Sequence, residues 1–276
     1  MKLGTNDIGS VYLGTNEISK VYLGTNLVWE SGFDADYQAI LDYATTQGYT
    51  LPSATQQILQ NQLVKDLKSA GVWTKLDTFG VFATDGDEDF ALIDWIRLTQ
   101  YTAVNSPSFT TNVGFTGNGT SSYLLPNFNP STDGVNYTAS DASFGVYWDS
   151  SLTASNYFVF ARAGSDVSAS YLNTALPTNQ INSNTTTNRR TFSTNGDFKA
   201  VTLSSGIQRL ILDGSIDDTF SFSGTPTLLN NDWRLLSRVG ASGYSDATVR
   251  MFFIGSDISS EASDFNTAVT TYYNSL

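Results

Sequence analysis

The chain has 276 residues, 40% hydrophobic and 13% aromatic, which is ample for a packed core, yet only 14% are charged, against roughly 25% in an ordinary globular domain. A formal net charge of −12, with 14 Lys and Arg spread thinly, leaves no basic patch to replace phosphate counterions and excludes a nucleic-acid partner. With no cysteine and no histidine, disulfides, thiolate and imidazole metal sites, cysteine nucleophiles and Ser-His-Asp triads are excluded, whereas carboxylate-pair chemistry is not.

The first thirty residues carry a repeat. Leu3-Gly4-Thr5-Asn6 recurs as Leu13-Gly14-Thr15-Asn16 and Leu23-Gly24-Thr25-Asn26, with a period of ten. Val11-Tyr12 and Val21-Tyr22 precede the later copies, Ile8 and Ile18 follow the earlier ones, and Val28-Trp29 ends the array. Each unit reads as a short strand followed by turn residues, since Gly and Asn tolerate positive φ. Apolar residues fall on both strand faces, and so short a segment buries little by itself. The expectation is an anchor at 1–30, in which Leu3, Ile8, Val11, Tyr12, Leu13, Ile18, Val21, Tyr22, Leu23, Val28 and Trp29 mediate assembly; a β-meander docked on the rest of its own chain is the alternative. The opening residues lack the apolar run of a secretory signal, and no stretch approaches the 18 apolar residues of a membrane span. Neither secretion by a signal nor membrane insertion is expected.

Residues 31–76 read as a helical neck. Asp34 and Asp36 are placed at a helix start, Tyr37, Ile40, Leu41 and Ala44 make an i, i+3, i+4, i+7 stripe, and Gly48 ends it. Ser53 and Gln56 have capping-box spacing, followed by a stripe of Ile58, Leu59, Leu63, Leu67 and Ala70 up to Gly71.

From 77 onward the periodicity is that of strands. Candidates are 78–83, 143–148, 157–161, 200–203, 208–212, 233–238 and 249–254, separated by turn signals such as Asp85-Gly86, Asn195-Gly196 and Asp213-Gly214. Many short strands without interleaved helices predict a mainly β fold, an antiparallel sandwich over 77–276. A closing helix is expected near 259–273, capped by Ser259 or Ser260 and buried through Phe265, Val269 and Tyr272.

Three stretches resemble the concanavalin A-like lectin/laminin-G jelly-roll sandwich: Arg209-Leu210-Ile211-Leu212-Asp213-Gly214, Val249-Arg250-Met251-Phe252-Phe253-Ile254-Gly255, and Ile258-Ser259-Ser260-Glu261 before a helix ending in Tyr-Tyr. The Val-Tyr-Leu-Gly repeats ending in Val-Trp are similar to N-terminal tags of bacteriophage tail and fibre proteins, as is Phe82-Ala83-Thr84-Asp85-Gly86-Asp87 to sequences of such genomes. The resemblance implies a virion fibre or decoration protein, located in the virion and contacting other virion proteins. It also implies self-association, as a homotrimer, and adhesion to a host surface glycan. A cell-surface carbohydrate-binding module is the alternative, and a glycanase is the third reading. Departures are the absent histidine of the lectin metal cluster and of any Glu-x-Asp-x-x-Glu glycanase strand.

Three constellations could carry chemistry. Asp85, Asp87 and Asp89 place alternate carboxylates around Gly86, a pattern able to hold Ca²⁺, although EF-hand spacing is not met. Asp213, Asp217 and Asp218 crowd one turn, which ordinary hairpin chemistry explains. Tyr147, Trp148, Tyr157 and Tyr244 lie near strand ends or Gly-Ser loops, where exposed rings could stack on sugars. The expectation is a chain that binds rather than cleaves glycans: not an enzyme.

Overall fold

The computed structural model describes residues 32–149, 179–183, 187–194, 196–228, 230–237 and 243–276 with their side chains, and backbone alone for the strand residues within 2–30 and for 157–163, 168–173 and 186. The repeat forms three separate two-stranded antiparallel hairpins: β1 (Lys2–Leu3) with β2 (Asn6–Asp7), β3 (Val11–Leu13) with β4 (Asn16–Ile18), and β5 (Lys20–Leu23) with β6 (Asn26–Glu30). Leu3 pairs with Asn6, Leu13 with Asn16 and Leu23 with Asn26. The Asn of each repeat therefore opens the returning strand instead of making the turn. Val28 is the extra residue of a bulge in β6, between Leu27 and Trp29, which pair with Tyr22 and Val21. Ile8 and the side chains of the other anchor residues lie outside the described residues.

Two helices follow. α1 (Ala35–Gln47) starts where the Asp34 side chain accepts from the Asp36 N–H, and ends at Gly48, whose φ of 81° is left-handed. Its buried residues are the expected Tyr37, Ile40, Leu41 and Ala44. α2 (Ala54–Ser69) is capped by Ser53 on the Gln56 N–H, but its buried face is Gln56, Gln60, Asn61, Leu63, Val64 and Leu67. Ile58, expected inside, is 58% exposed. The helix is rotated because its glutamines have partners inside. Gln60 accepts from the Tyr37 hydroxyl at 2.7 Å and donates to Thr84 Oγ1 at 3.0 Å and to the Tyr272 hydroxyl at 3.1 Å. A buried amide so satisfied avoids the desolvation penalty that would otherwise turn it outward.

The sandwich begins with β7 (Leu76–Val81) and a short helix α3 (Glu88–Ala91), then β8 (Ile93–Asp94), β9 (Thr99–Gln100), β10 (Thr102–Val104), β11 (Ser108–Thr110), β12 (Gly114–Thr116) and β13 (Tyr123–Leu125). After α4 (Pro130–Asp133) come β14 (Ala142–Trp148), β15 (Tyr157–Ala163), β16 (Ser168–Asn173), β17 (Gln180–Ser183), β18 (Phe198–Ser204), β19 (Ile207–Leu212), β20 (Ser215–Ser221), β21 (Arg234–Leu235) and β22 (Thr248–Gly255), closed by α5 (Ala262–Tyr273). The larger sheet runs β20-β19-β18-β14-β22-β7-β8-β9, with β12 also paired to β22; the smaller runs β10-β13-β21-β15-β16-β17. The fold is mainly antiparallel β with a C-terminal helix, as the strand pattern predicts. Asp213-Gly214 turns β19 into β20, both residues at positive φ (47° and 80°), as a two-residue hairpin needs. α5 is capped differently from expectation: Glu261 stands at its start without a side-chain cap, because the Ser259 N–H and hydroxyl are used by Asp257.

Residues of the larger sheet alternate between two cores. Phe144, Val146, Trp148, Val201, Leu203, Phe252 and Ile254 face the smaller sheet and pack with Leu124 and Leu235. Phe79, Val81, Tyr147, Phe198, Met251 and Phe253 face the other way and pack with Tyr37, Leu63, Leu67, Phe265, Val269 and Tyr272 of the helices. The helices over 31–76 thus share one core with the sheet and with α5, in a three-layer arrangement. Among the described residues no helix is long and apolar enough to cross a membrane.

Candidate functional site

The surface that best fits ligand recognition lies on the smaller sheet. Leu124 of β13 pairs with Leu235 of β21 and both are buried, so their strand neighbours Tyr123 and Arg234 point to the opposite face. The Arg234 guanidinium carbon stands 4.6 Å over the Tyr123 ring. Tyr244 joins them, its ring centroid 6.3 Å from that of Tyr123 and tilted by 39°. All three side chains are half-buried.

Loop geometry fixes these rings. Tyr244 bridges Ser237, and the Ser245 N–H donates to the Leu236 carbonyl at 2.8 Å. Asn118 Oδ1 accepts from the N–H groups of Thr120, Ser121 and Ser122, winding 118–122 into a tight turn just before Tyr123. That turn is tied to the Tyr244 loop by Gly119 N–H to Ser245 O (3.2 Å) and Gly117 N–H to Ala247 O (3.1 Å). Gly117 is required for this approach, since a Cβ there would stand 2.0 Å from the Ser245 carbonyl oxygen. The result is a rigid pair of phenol rings and one guanidinium, with exposed Asn118, Thr120 and Asp246 on the adjoining loops. Aromatic faces stack on the C–H faces of sugars while guanidinium, amide and hydroxyl groups meet their hydroxyls, the usual division of labour in a ligand site.

Of the four rings nominated from sequence, only Tyr244 lies on this face with a described side chain. Tyr147 is 5% exposed and stacks on Tyr273 at 4.7 Å. Trp148 is 1% exposed and its Nε1 donates to the Gly196 carbonyl at 2.7 Å. Both belong to the core, because β14 is covered on one face by helices and on the other by the second sheet. Tyr157 opens β15, and its side chain lies outside the described residues. Tyr123 and Arg234 were not nominated; the alternation Tyr123-Leu124-Leu125 was the only signal, and too short to use.

The acidic loop is occupied by backbone. Asp85 accepts from the Ser53 N–H at 3.0 Å, and Asp87 accepts from Thr50 at 2.6 Å and from Phe90 at 2.8 Å, capping α3. Asp89 is exposed. Among the described residues no three His, Cys, Asp or Glu side chains converge as a metal site; Asp85 and Asp87 lock the loop to the segment that leads into α2. The crowded turn is likewise structural: Asp213 accepts from Phe198 N–H, Asp217 from the Ser193 N–H and hydroxyl, and Asp218 stands 3.9 Å from Arg190.

One buried charge escaped the sequence reading. Lys199 on β18 is 2% exposed, with its ammonium 5.6 Å from the Trp148 ring and 5.1 Å from Phe192. Burial pushes its pKa down to about 8, against the opposing pull of Asp213 and Asp217.

No protein-family model and no curated sequence matches the chain. Several solved structures resemble it. Domain 4 of AbnA, a GH43 extracellular arabinanase from Geobacillus stearothermophilus, in complex with arabinotriose, is 12% identical with a TM-score of 0.41 over 70% of this chain and 98% of its own. Trypanosoma rangeli sialidase in complex with sialic acid is 12% identical with a TM-score of 0.45 over 78% of this chain, which spans only 40% of the sialidase. A GH54 α-l-arabinofuranosidase is 13% identical, with a TM-score of 0.39 over 58% of this chain and 41% of its own. The expectation of a non-enzymatic chain is corrected on this finding, since the similar structures are glycosidases or a domain of one. At such identities and scores the likeness concerns fold, and no residue role is carried over from it.

Proposed function

We propose that the chain is a carbohydrate-binding sandwich whose N-terminal hairpin array holds it in a larger assembly, as in a bacteriophage virion fibre or decoration protein. The observation that carries the binding role is the rigid Tyr123–Tyr244 pair with Arg234 on an outward face. The ten-residue repeat and its three short hairpins support the assembly role, because paired strands of two to five residues bury too little to stand alone. The favoured ligand is a neutral host-surface glycan: a net charge of −12 repels polyanions at separations within about 10 Å at 0.1 M salt. Single stacking contacts are weak, so several copies acting together, in a homotrimer, give the avidity.

A glycan array probed with the intact oligomer tests this, with reducing-end release measured alongside. Binding to a neutral glycan that Tyr123→Ala and Tyr244→Ala each weaken by about tenfold supports the reading, on the scale of one lost aromatic contact. Binding unchanged in both variants overturns this face as the site, and released reducing ends assign cleavage as well as binding.

A further inference from the structure

The arginine of the Tyr123–Tyr244 face sets the class of sugar it accepts, a conclusion that rests on the sugar-binding reading of that face. Arg234 is held by stacking alone. Its guanidinium carbon lies 4.6 Å over the Tyr123 ring, and among the described residues the guanidinium makes no hydrogen bond and no ion pair. The other arginines with described side chains are committed: Arg97 to Asp94, Arg189 to Gln180, Arg190 to Asp218, Arg209 to Asp257 and Arg250 to Asp149. In a chain with 26 acidic residues, a guanidinium whose donors all await a partner is the exception.

The surroundings decide what those donors can meet. Val104 pairs with Tyr123 across β10 and β13, while its neighbour Ala103 packs on the inter-sheet core, so Val104 shares the outward face. Val104, Tyr123 and Tyr244 thus set apolar surface around the fork, and all three are half-buried rather than covered. Exposed Asp246 follows on the loop that presents Tyr244.

A guanidinium can only donate, so its ligand must bring an acceptor. Sugar hydroxyls are modest acceptors that must also place a proton, whereas an amide carbonyl is a strong acceptor with none to place. A carboxylate would fill the fork too, but it approaches against Asp246 and a chain of net charge −12. We propose that this face selects a neutral sugar bearing an acetamido group. The acetamido carbonyl oxygen accepts from the Arg234 guanidinium, and the methyl rests on the surface of Val104 and Tyr123. Stacking on Tyr123 places the fork before the ligand arrives, which lowers the cost of ordering it.

The test is a titration of the full chain with matched sugars. Chitotriose carries acetamido where cellotriose carries hydroxyl, N-acetylgalactosamine and galactose form a second such pair, and a glucuronate oligomer represents the anionic class. The acetamido member of a pair should bind about tenfold more tightly, the size of one hydrogen bond to a charged group. Arg234→Met, which keeps an apolar stem over Tyr123, should bring it down to the level of its hydroxyl partner. Arg234→Lys keeps the charge but loses the planar fork, and should remove most of the preference. Tyr244→Ala should weaken both members alike. Equal binding of both members, binding confined to sugars without acetamido, tighter binding of glucuronate, or a preference that survives both Arg234 substitutions would each overturn the acetamido selection and leave sugar binding standing. No binding of any sugar, in this series or on the wider glycan array, would remove the sugar-binding reading itself.

Discussion

At the scale of single residues, burial decides which side chains are free to act. Every residue of β14 is buried, since the larger sheet is sandwiched between helices and a second sheet. Sequence alternation separates core from surface only when one face is wet, which is why Tyr147 and Trp148 read as accessible and are not. Tyr244 was legible because Gly243 and a Ser-rich loop flank it, whereas Tyr123 owes its position to a three-residue strand. Lys199 follows the same logic: it alternates with Phe198 and Ala200 and so faces inward beside Val201. Its pKa is about 8 when folded and about 10.4 when unfolded. Between those values the unfolded chain binds the extra proton, so stability rises as pH goes from 8 to 9.5, by up to roughly 3 kcal/mol if the full gap were titrated. Above about pH 9.5 the trend reverses, because burial holds the Tyr37, Tyr101, Tyr272 and Tyr273 hydroxyls protonated while the unfolded chain loses those protons. Urea unfolding across this range should show a maximum near 9.5, and Lys199→Met should remove the rising limb. A rising limb of equal slope in Lys199→Met would contradict the assignment.

At the scale of elements, local chemistry was the readable part. The Asp34 and Ser53 caps, the Gly48 stop and the α1 stripe stand as the residue types require. So do seven strands, to within a few residues at each end except around 233–238, where the strand is Arg234–Leu235 and Ser237 makes an isolated bridge to Tyr244. The face of α2 was not readable, since it is set by hydrogen bonds with residues more than twenty positions away: Gln60 donates to Thr84, whose hydroxyl donates to Gln56. The short strands between 93 and 125 were also missed, being two or three residues long and held by sheet partners rather than by propensity. Gly145 shows how tightly the central strands close. A Cβ there would lie 2.6 Å from both the Lys199 carbonyl oxygen and the Phe253 ring, and 2.8 Å from Ala200 Cβ. Gly145→Ala should therefore cost about 1–3 kcal/mol by overpacking. A chemical-denaturation midpoint unchanged from that of the parent chain would contradict the packing of β14 between β18 and β22.

At the scale of the whole molecule, the buried members of both cores among the described residues run from 37 to 273. Removal of residues 1–30 should then leave the melting temperature within a few degrees of the parent's, while sedimentation shows a smaller species and incorporation into the assembly is lost. A truncated chain that still assembles at the parent's level would refute the anchor. The fold class was legible because strand-forming runs and turn residues alternate over 200 positions, but the ligand face was not, because it brings Tyr123 against Arg234 and Tyr244, more than a hundred positions away in sequence. The role proposed for this face is sugar binding. The most direct measurement is the affinity of the intact oligomer for isolated host polysaccharide, compared with Tyr123→Ala and Tyr244→Ala oligomers of the same melting temperature. Saturable binding that each substitution weakens by about tenfold is expected; equal binding by all three oligomers, or none by the parent, would show that this face is not a sugar site.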